Sequence, residues 1–166
     1  WGPESAFHAA NVEATQRLLD SARAAGVKRF VHVSTPSIYA RPRDQIGLSE
    51  GSPLPPHLAT AYARTKLVGE RAVLAAHDGA MHTMALRPRA IIAPHDTALL
   101  PRLLRAADKG AMPLPRGGRA LVEPTDARDV VDALLAAERC SAEAGGQAFN
   151  ISGGTPVLLR DLVGEV

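Results

Sequence analysis

At 166 residues and 46% hydrophobic content, the chain fits one domain of ordinary size with a single core. Its net charge of +2 and pI near 9.0 come from arginines and acids interleaved without any run of like charge, so nucleic acid is not implied as a partner. The lone Cys140 excludes an internal disulfide and predicts a reducing, cytoplasmic setting, and no apolar stretch approaches the roughly 18 residues of a membrane span.

From Glu4 to Ala25, the apolar residues Phe7, Ala10, Val12, Leu18, Leu19 and Ala22 fall at helical spacing, and Gly26 supplies a stop. Arg29-Phe30-Val31-His32-Val33 is short and β-rich and runs into Ser34-Thr35-Pro36-Ser37, which predicts a buried strand entering a loop. A loop rich in Pro and Gly extends to about Thr60, followed by a helix from about Ala61 to His77 that ends at Asp78-Gly79. Thr83 to Arg87 reads as a second strand stopped by Pro88, and Ala98 to Lys109 as a helix closed by Gly110. Beyond the polar turn Pro115-Arg116-Gly117-Gly118-Arg119 lie an extended run at Ala120 to Glu123, a helix at Asp126 to Arg139 and a third strand at Gln147 to Ile151. Alternating helices and strands predict an α/β layer fold with parallel strands. Trp1 in place of a methionine, and a last segment from Leu158 to Val166 that reads as a helix cut short, predict a fragment. The strand at Phe30 would then present an unpaired edge, a template for aggregation.

Within Ala61-Tyr62-Ala63-Arg64-Thr65-Lys66-Leu67-Val68-Gly69-Glu70, one of the chain's two tyrosines stands four residues before one of its three lysines. Positions i and i+4 share a helix face, so phenol and ammonium project into the same space. Alone, such a pair is usually a surface contact. In an open α/β sheet, however, ligands bind beyond the carboxyl ends of the strands, where Ser34 and Thr35 lie. A hydroxyl, a phenol and an amine then converge.

Val31-His32-Val33-Ser34-Thr35-Pro36-Ser37-Ile38-Tyr39 followed by Tyr62-Ala63-Arg64-Thr65-Lys66 resembles the active-site segment of the extended short-chain dehydrogenase/reductases. These include the NAD-dependent epimerases and dehydratases and the 3β-hydroxysteroid dehydrogenases. Four further segments match in order: Asn11-Val12-Glu13-Ala14-Thr15, the run from Leu86-Arg87-Pro88 to Asp96, Asp129-Val130-Val131, and Phe149-Asn150-Ile151-Ser152-Gly153-Gly154.

The resemblance implies an α/β fold comprising the C-terminal part of a Rossmann-like doubly wound parallel sheet. Residues 1–110 would belong to the NAD(P)-binding domain with the catalytic residues, and 111–166 mostly to a substrate-binding region, with a returning strand near 148–151. It implies NAD or NADP as cofactor, a small-molecule substrate and, in the complete protein, a homodimer. Tyr62 would exchange a proton with a substrate hydroxyl or carbonyl while hydride passes to or from nicotinamide. A phenol ionises near pH 10, and a cation within about 4 to 6 Å eases that ionisation, a role the resemblance gives to Lys66. Lys66 would also hold the cofactor ribose, Thr35 would hydrogen-bond the reacting oxygen beside Ser34, and Ser34 and Pro88 would border the cofactor. Asn11 either joins the site or simply hydrogen-bonds backbone.

The Gly-rich turn that meets a dinucleotide pyrophosphate is absent, with neither Gly-x-Gly-x-x-Gly nor Gly-x-x-Gly-x-x-Gly in the sequence. Nucleotide-sugar enzymes of the family carry an arginine where this chain has Val122, so the resemblance leans toward the 3β-hydroxysteroid dehydrogenase-like branch and apolar alcohols or ketones. A nucleotide-sugar epimerase or dehydratase, with Arg119 serving a phosphate, and a non-catalytic dinucleotide-binding module stand as alternatives. The six histidines never reach metal-ligand spacing with a carboxylate or Cys140, so no metal is expected.

Overall fold

A computed structural model describes residues 2–43, 45–97, 100–108 and 114–164. The first helical stretch comprises α1 (Glu4–His8), a π-helical turn (Ala9–Glu13) and α2 (Ala14–Ala24), and it ends where Gly26 takes φ +69°. Strand β1 (Arg29–Val33) leads through a 3₁₀ turn (Pro36–Tyr39) and a long loop into α3 (Ala61–Ala75). Then come β2 (His82–Pro88), β3 (Ile91–Ile92), α4 (Leu100–Asp108), β4 (Leu121–Val122), β5 (Thr125–Asp126), α5 (Ala127–Arg139), β6 (Gln147–Ile151), β7 (Val157–Leu158) and α6 (Leu159–Gly164).

Two compact units divide the chain: residues 1–88 with 132–150, and residues 89–131 with 151–166. The first holds a sheet of order β1-β2-β6. Strands β1 and β2 run parallel, with Val31 beside Met84 and Val33 beside Leu86. Strand β6 follows the same direction, since Gly146 N–H reaches Thr83 O near one end and Arg89 N–H reaches Ile151 O at the other. Among the described residues, β1 pairs only with β2 and forms an edge of this sheet.

The core under the sheet joins Leu19 of α2, Val73 of α3 and Met81, with Phe30 packed against them. A second cluster, Ile38, Tyr39 and Leu67, is covered by Leu48, Leu54 and Leu58 from the long loop. In the other unit β3 pairs parallel with β5 and β4 antiparallel with β7. Among the described residues, no helix is long and apolar enough to cross a membrane.

Local chemistry sets the borders of α3. Thr60 caps its start by accepting the Ala63 N–H at 3.1 Å. At its other end Asp78 takes the N–H groups of Ala80 and Met81 at 2.9 and 2.8 Å, so the helix stops at Ala75 rather than at the expected His77. The helix expected from Ala98 spans Leu100–Asp108, its outer residues 98, 99 and 109 lying outside the described ones. The terminal helix is described to Gly164.

Gly69 on α3 lies against the π turn so closely that a Cβ there would stand 2.3 Å from the Asn11 carbonyl oxygen. Real side chains do not make such a contact, so Gly69→Ala must push the π turn off α3. Overpacking of this kind costs about 1–3 kcal/mol. A urea unfolding series comparing Gly69→Ala with wild type checks this; an unchanged midpoint would refute the close approach.

Candidate active site

Helix α3 presents Tyr62, Lys66 and Glu70 at successive fourth positions, hence on one face. Tyr62 is 39% exposed, and the ring of Phe7 meets it edge-on at 6.2 Å. The Lys66 ammonium donates to the Val33 carbonyl at 2.5 Å, which brings it to the carboxyl end of β1. Burial pushes the Lys66 pKa below the ordinary lysine range, and the negative charge of Glu70 opposes that push.

Ser34 and Thr35 follow at the same strand end, both buried. Thr35 caps the 3₁₀ turn: its hydroxyl accepts the Ser37 N–H at 3.2 Å and donates to Ser37 Oγ at 3.1 Å. The Ser34 hydroxyl donates to Glu70 Oε2 at 2.5 Å. Pro88 is buried at the end of β2. Asn11 caps nothing: its amide donates to Thr65 Oγ1 at 3.0 Å, on a turn of α3 between Tyr62 and Lys66. A π turn at such a position is a frequent companion of functional sites. Lys66, Ser34 and Thr35 therefore gather about the end of β1, with Tyr62 one turn before Lys66 on the same helix face and Asn11 joined to that helix.

Beneath them lies a polar network that the sequence reading did not anticipate. Glu70, 1% exposed, receives two hydrogen bonds from Arg87, Nε to Oε2 at 2.9 Å and Nη2 to Oε1 at 2.5 Å. Arg87 Nη1 also reaches the Tyr39 hydroxyl, which donates to Asn150 Oδ1 at 3.3 Å. Burial alone would raise the Glu70 pKa, but the hydrogen bonds from Arg87 and Ser34 and the charge of Arg87 outweigh it and hold the carboxyl below its usual range. A signal was present in the sequence: Glu70 stands four residues after Lys66 on the same face, and Arg87 sits in a motif already noted.

His32 on β1 completes the surroundings. Its Nε2 is buried without a hydrogen-bond partner, and burial together with the nearby Lys66 charge pulls its pKa down to about 4. The unfolded chain binds this proton near pH 6.5, so the neutral imidazole contributes stability above that pH, and the contribution is lost as pH falls toward 4. Thermal melts should thus show a midpoint falling between pH 6.5 and 4 in wild type and a shallower fall in His32→Gln. Equal slopes would contradict it. Among the described residues, no group of three His, Cys, Asp or Glu side chains can hold a metal ion.

A parallel sheet whose first strand ends in Ser-Thr under a Tyr-x-x-x-Lys helix defines the class as a Rossmann-like short-chain dehydrogenase/reductase. The family model for the NAD dependent epimerase/dehydratase family matches residues 2–152. The chain belongs to that family. It is 37% identical to a 2-alkyl-3-oxoalkanoate reductase of Stenotrophomonas maltophilia, over 100% of this chain and 52% of that protein. It is 35% identical to a decarboxylating sterol-4-alpha-carboxylate 3-dehydrogenase of Bos taurus, over 91% of this chain and 44% of the relative. Among solved structures, MoeE5 in complex with UDP-glucuronic acid and NAD superposes with a TM-score of 0.73 at 31% identity, over 93% of this chain and 52% of that one. The chain spans about half the length of the curated relatives it matches.

Proposed function

We propose that this chain is the catalytic portion of an NAD- or NADP-dependent oxidoreductase that interconverts a hydroxyl and a keto group. The observation that carries this reading is the Lys66 ammonium at the end of β1, on the helix face of Tyr62 and next to the Thr35 strand end. In the oxidation direction Tyr62 takes the proton of the substrate hydroxyl, Thr35 holds that oxygen, and Lys66 keeps a positive charge beside the phenol. A nicotinamide dinucleotide, when bound, accepts the hydride from the carbinol carbon. The half-buried Lys66 amine and the exposed Tyr62 hydroxyl suit the ribose of the nicotinamide end, bordered by Ser34 and Pro88. The unit of residues 1–88 and 132–150 is read as the cofactor side, and that of 89–131 and 151–166 as the substrate side.

The names of the two curated relatives share a chemistry. In a 3-oxoalkanoate, and in a sterol 4-carboxylate oxidised at C3, the reacting carbon lies β to a carboxyl group and the remainder is apolar. We therefore assign the substrate as a 2-substituted 3-hydroxy or 3-oxo carboxylic acid. The nucleotide-sugar alternative is less favoured, because Val122 pairs with Val157 in β4 and β7 at the position where a diphosphate clamp would need a cation.

The test is an assay of the full-length polypeptide with a 2-alkyl-3-hydroxy acid and, separately, a UDP-sugar, following nicotinamide absorbance with NAD and with NADP. Reduction of the dinucleotide by the acid is expected; turnover of the UDP-sugar alone would overturn the assignment. The 166-residue chain by itself, having no Gly-rich turn, should bind either dinucleotide only weakly. Each missing hydrogen bond to a charged phosphate forgoes about 1.5 to 3 kcal/mol, and about 1.4 kcal/mol is tenfold in affinity, which puts Kd in the millimolar range or weaker. Calorimetric titration measures it, and micromolar affinity would contradict the prediction.

A further inference from the structure

Two neighbouring residues at the end of β1 are held by two same-face residues of α3: the Val33 carbonyl by Lys66 Nζ at 2.5 Å, and the Ser34 hydroxyl by Glu70 Oε2 at 2.5 Å. The next residue in the chain is Thr35. Ser34 is fixed from its other side as well, its N–H donating to the Leu86 carbonyl at 2.6 Å. Arg87, adjacent to Leu86, grips both oxygens of Glu70. One buried carboxylate thus ties the helix of Tyr62 and Lys66 to the ends of β1 and β2 together.

We propose that Glu70 is a positioning residue, whose ties to Ser34 and Arg87 fix the register of the Tyr62–Lys66 helix face against the strand end bearing Thr35. The inference deepens the oxidoreductase reading, and rests on it only for the roles of Tyr62, Lys66 and Thr35. An ion pair serving stability alone has no need of Ser34, since Arg87 already supplies two hydrogen bonds to the carboxylate. The third bond, to the strand end, is what couples it to the site.

Among the described residues, the groups facing Lys66 are few. Tyr62 and Glu70 lie on its own helix, His32 on β1, and Arg87 on β2 beyond Glu70. His32 is neutral above about pH 4, so Glu70 is the charge that sustains the Lys66 ammonium against its burial.

The test needs neither dinucleotide nor substrate. The purified chain is acetylated with a limiting amine reagent across a pH series, and mass spectrometry follows Lys66 against the exposed Lys28 as internal reference. Glu70→Gln should move the reactivity midpoint of Lys66 to lower pH and leave Lys28 where it is; an unmoved Lys66 midpoint in the folded variant overturns the proposal. Ser34→Ala keeps the Glu70–Arg87 pair whole and so stays readable should Glu70→Gln fail to fold. Releasing that tie should raise the Lys66 acetylation rate about tenfold or more, the worth of one hydrogen bond to a charged group. Ser34→Thr should restore the wild-type rate, and a Ser34→Ala rate equal to wild type overturns the tie. Failure here leaves the oxidoreductase reading standing, because that reading depends on the placement of Lys66, Tyr62 and Thr35 and not on Glu70.

Discussion

Tyr62→Phe in the full-length polypeptide should lower kcat by about 100- to 10,000-fold, the usual contribution of a positioned general acid or base, while leaving dinucleotide affinity near wild type. The variant removes one oxygen and keeps the ring against Phe7, so packing on α1 is spared. Steady-state kinetics with a 3-hydroxy acid, paired with calorimetric dinucleotide binding, separates the two quantities. Near-wild-type turnover would falsify the acid/base role of Tyr62. Lys66→Met should differ in kind, losing rate and dinucleotide affinity together, since the ammonium serves both phenol and ribose in this mechanism.

Arg87→Met should be strongly destabilising. It strands the Glu70 carboxylate, 1% exposed, with only Ser34 to satisfy it. Breaking one side of a buried ion pair costs about 3–5 kcal/mol, whereas replacing both partners is often close to neutral. The double variant Glu70→Gln/Arg87→Met should accordingly recover most of the loss. Urea denaturation of the two variants decides it, and a double variant no more stable than Arg87→Met would show that the pair stabilises by packing and not by charge.

The site was legible where its chemistry is local. Tyr62 and Lys66 stand at helical spacing, and Ser34-Thr35 directly follows a β-branched run, so one short window carries each. The strands β1 and β6 fall where sequence places them, at Arg29–Val33 and Gln147–Ile151, because turn-forming residues flank an apolar core on both sides. What the sequence could not display is pairing across distance. The Glu70–Arg87 network joins a helix to a strand and becomes visible only when both are folded. The π turn at Ala9–Glu13 presents Asn11 to Thr65 where an uninterrupted helix was expected, its carbonyl packed on Gly69. Two-residue strands such as β3 and β5 carry no periodicity for a pattern to register.

The two units exchange chain at residues 88/89, 131/132 and 150/151. A single cut therefore never separates the two units, and truncation at any one of these borders leaves at least one of them incomplete. With the second unit read as the substrate side, as proposed above, grafting a different substrate preference onto this scaffold would require transplanting residues 89–131 and 151–166 from a relative as a matched pair. Chimeras that swap only one of the two segments should join mismatched halves of one unit, and libraries built by single-crossover recombination will sample the productive combinations poorly.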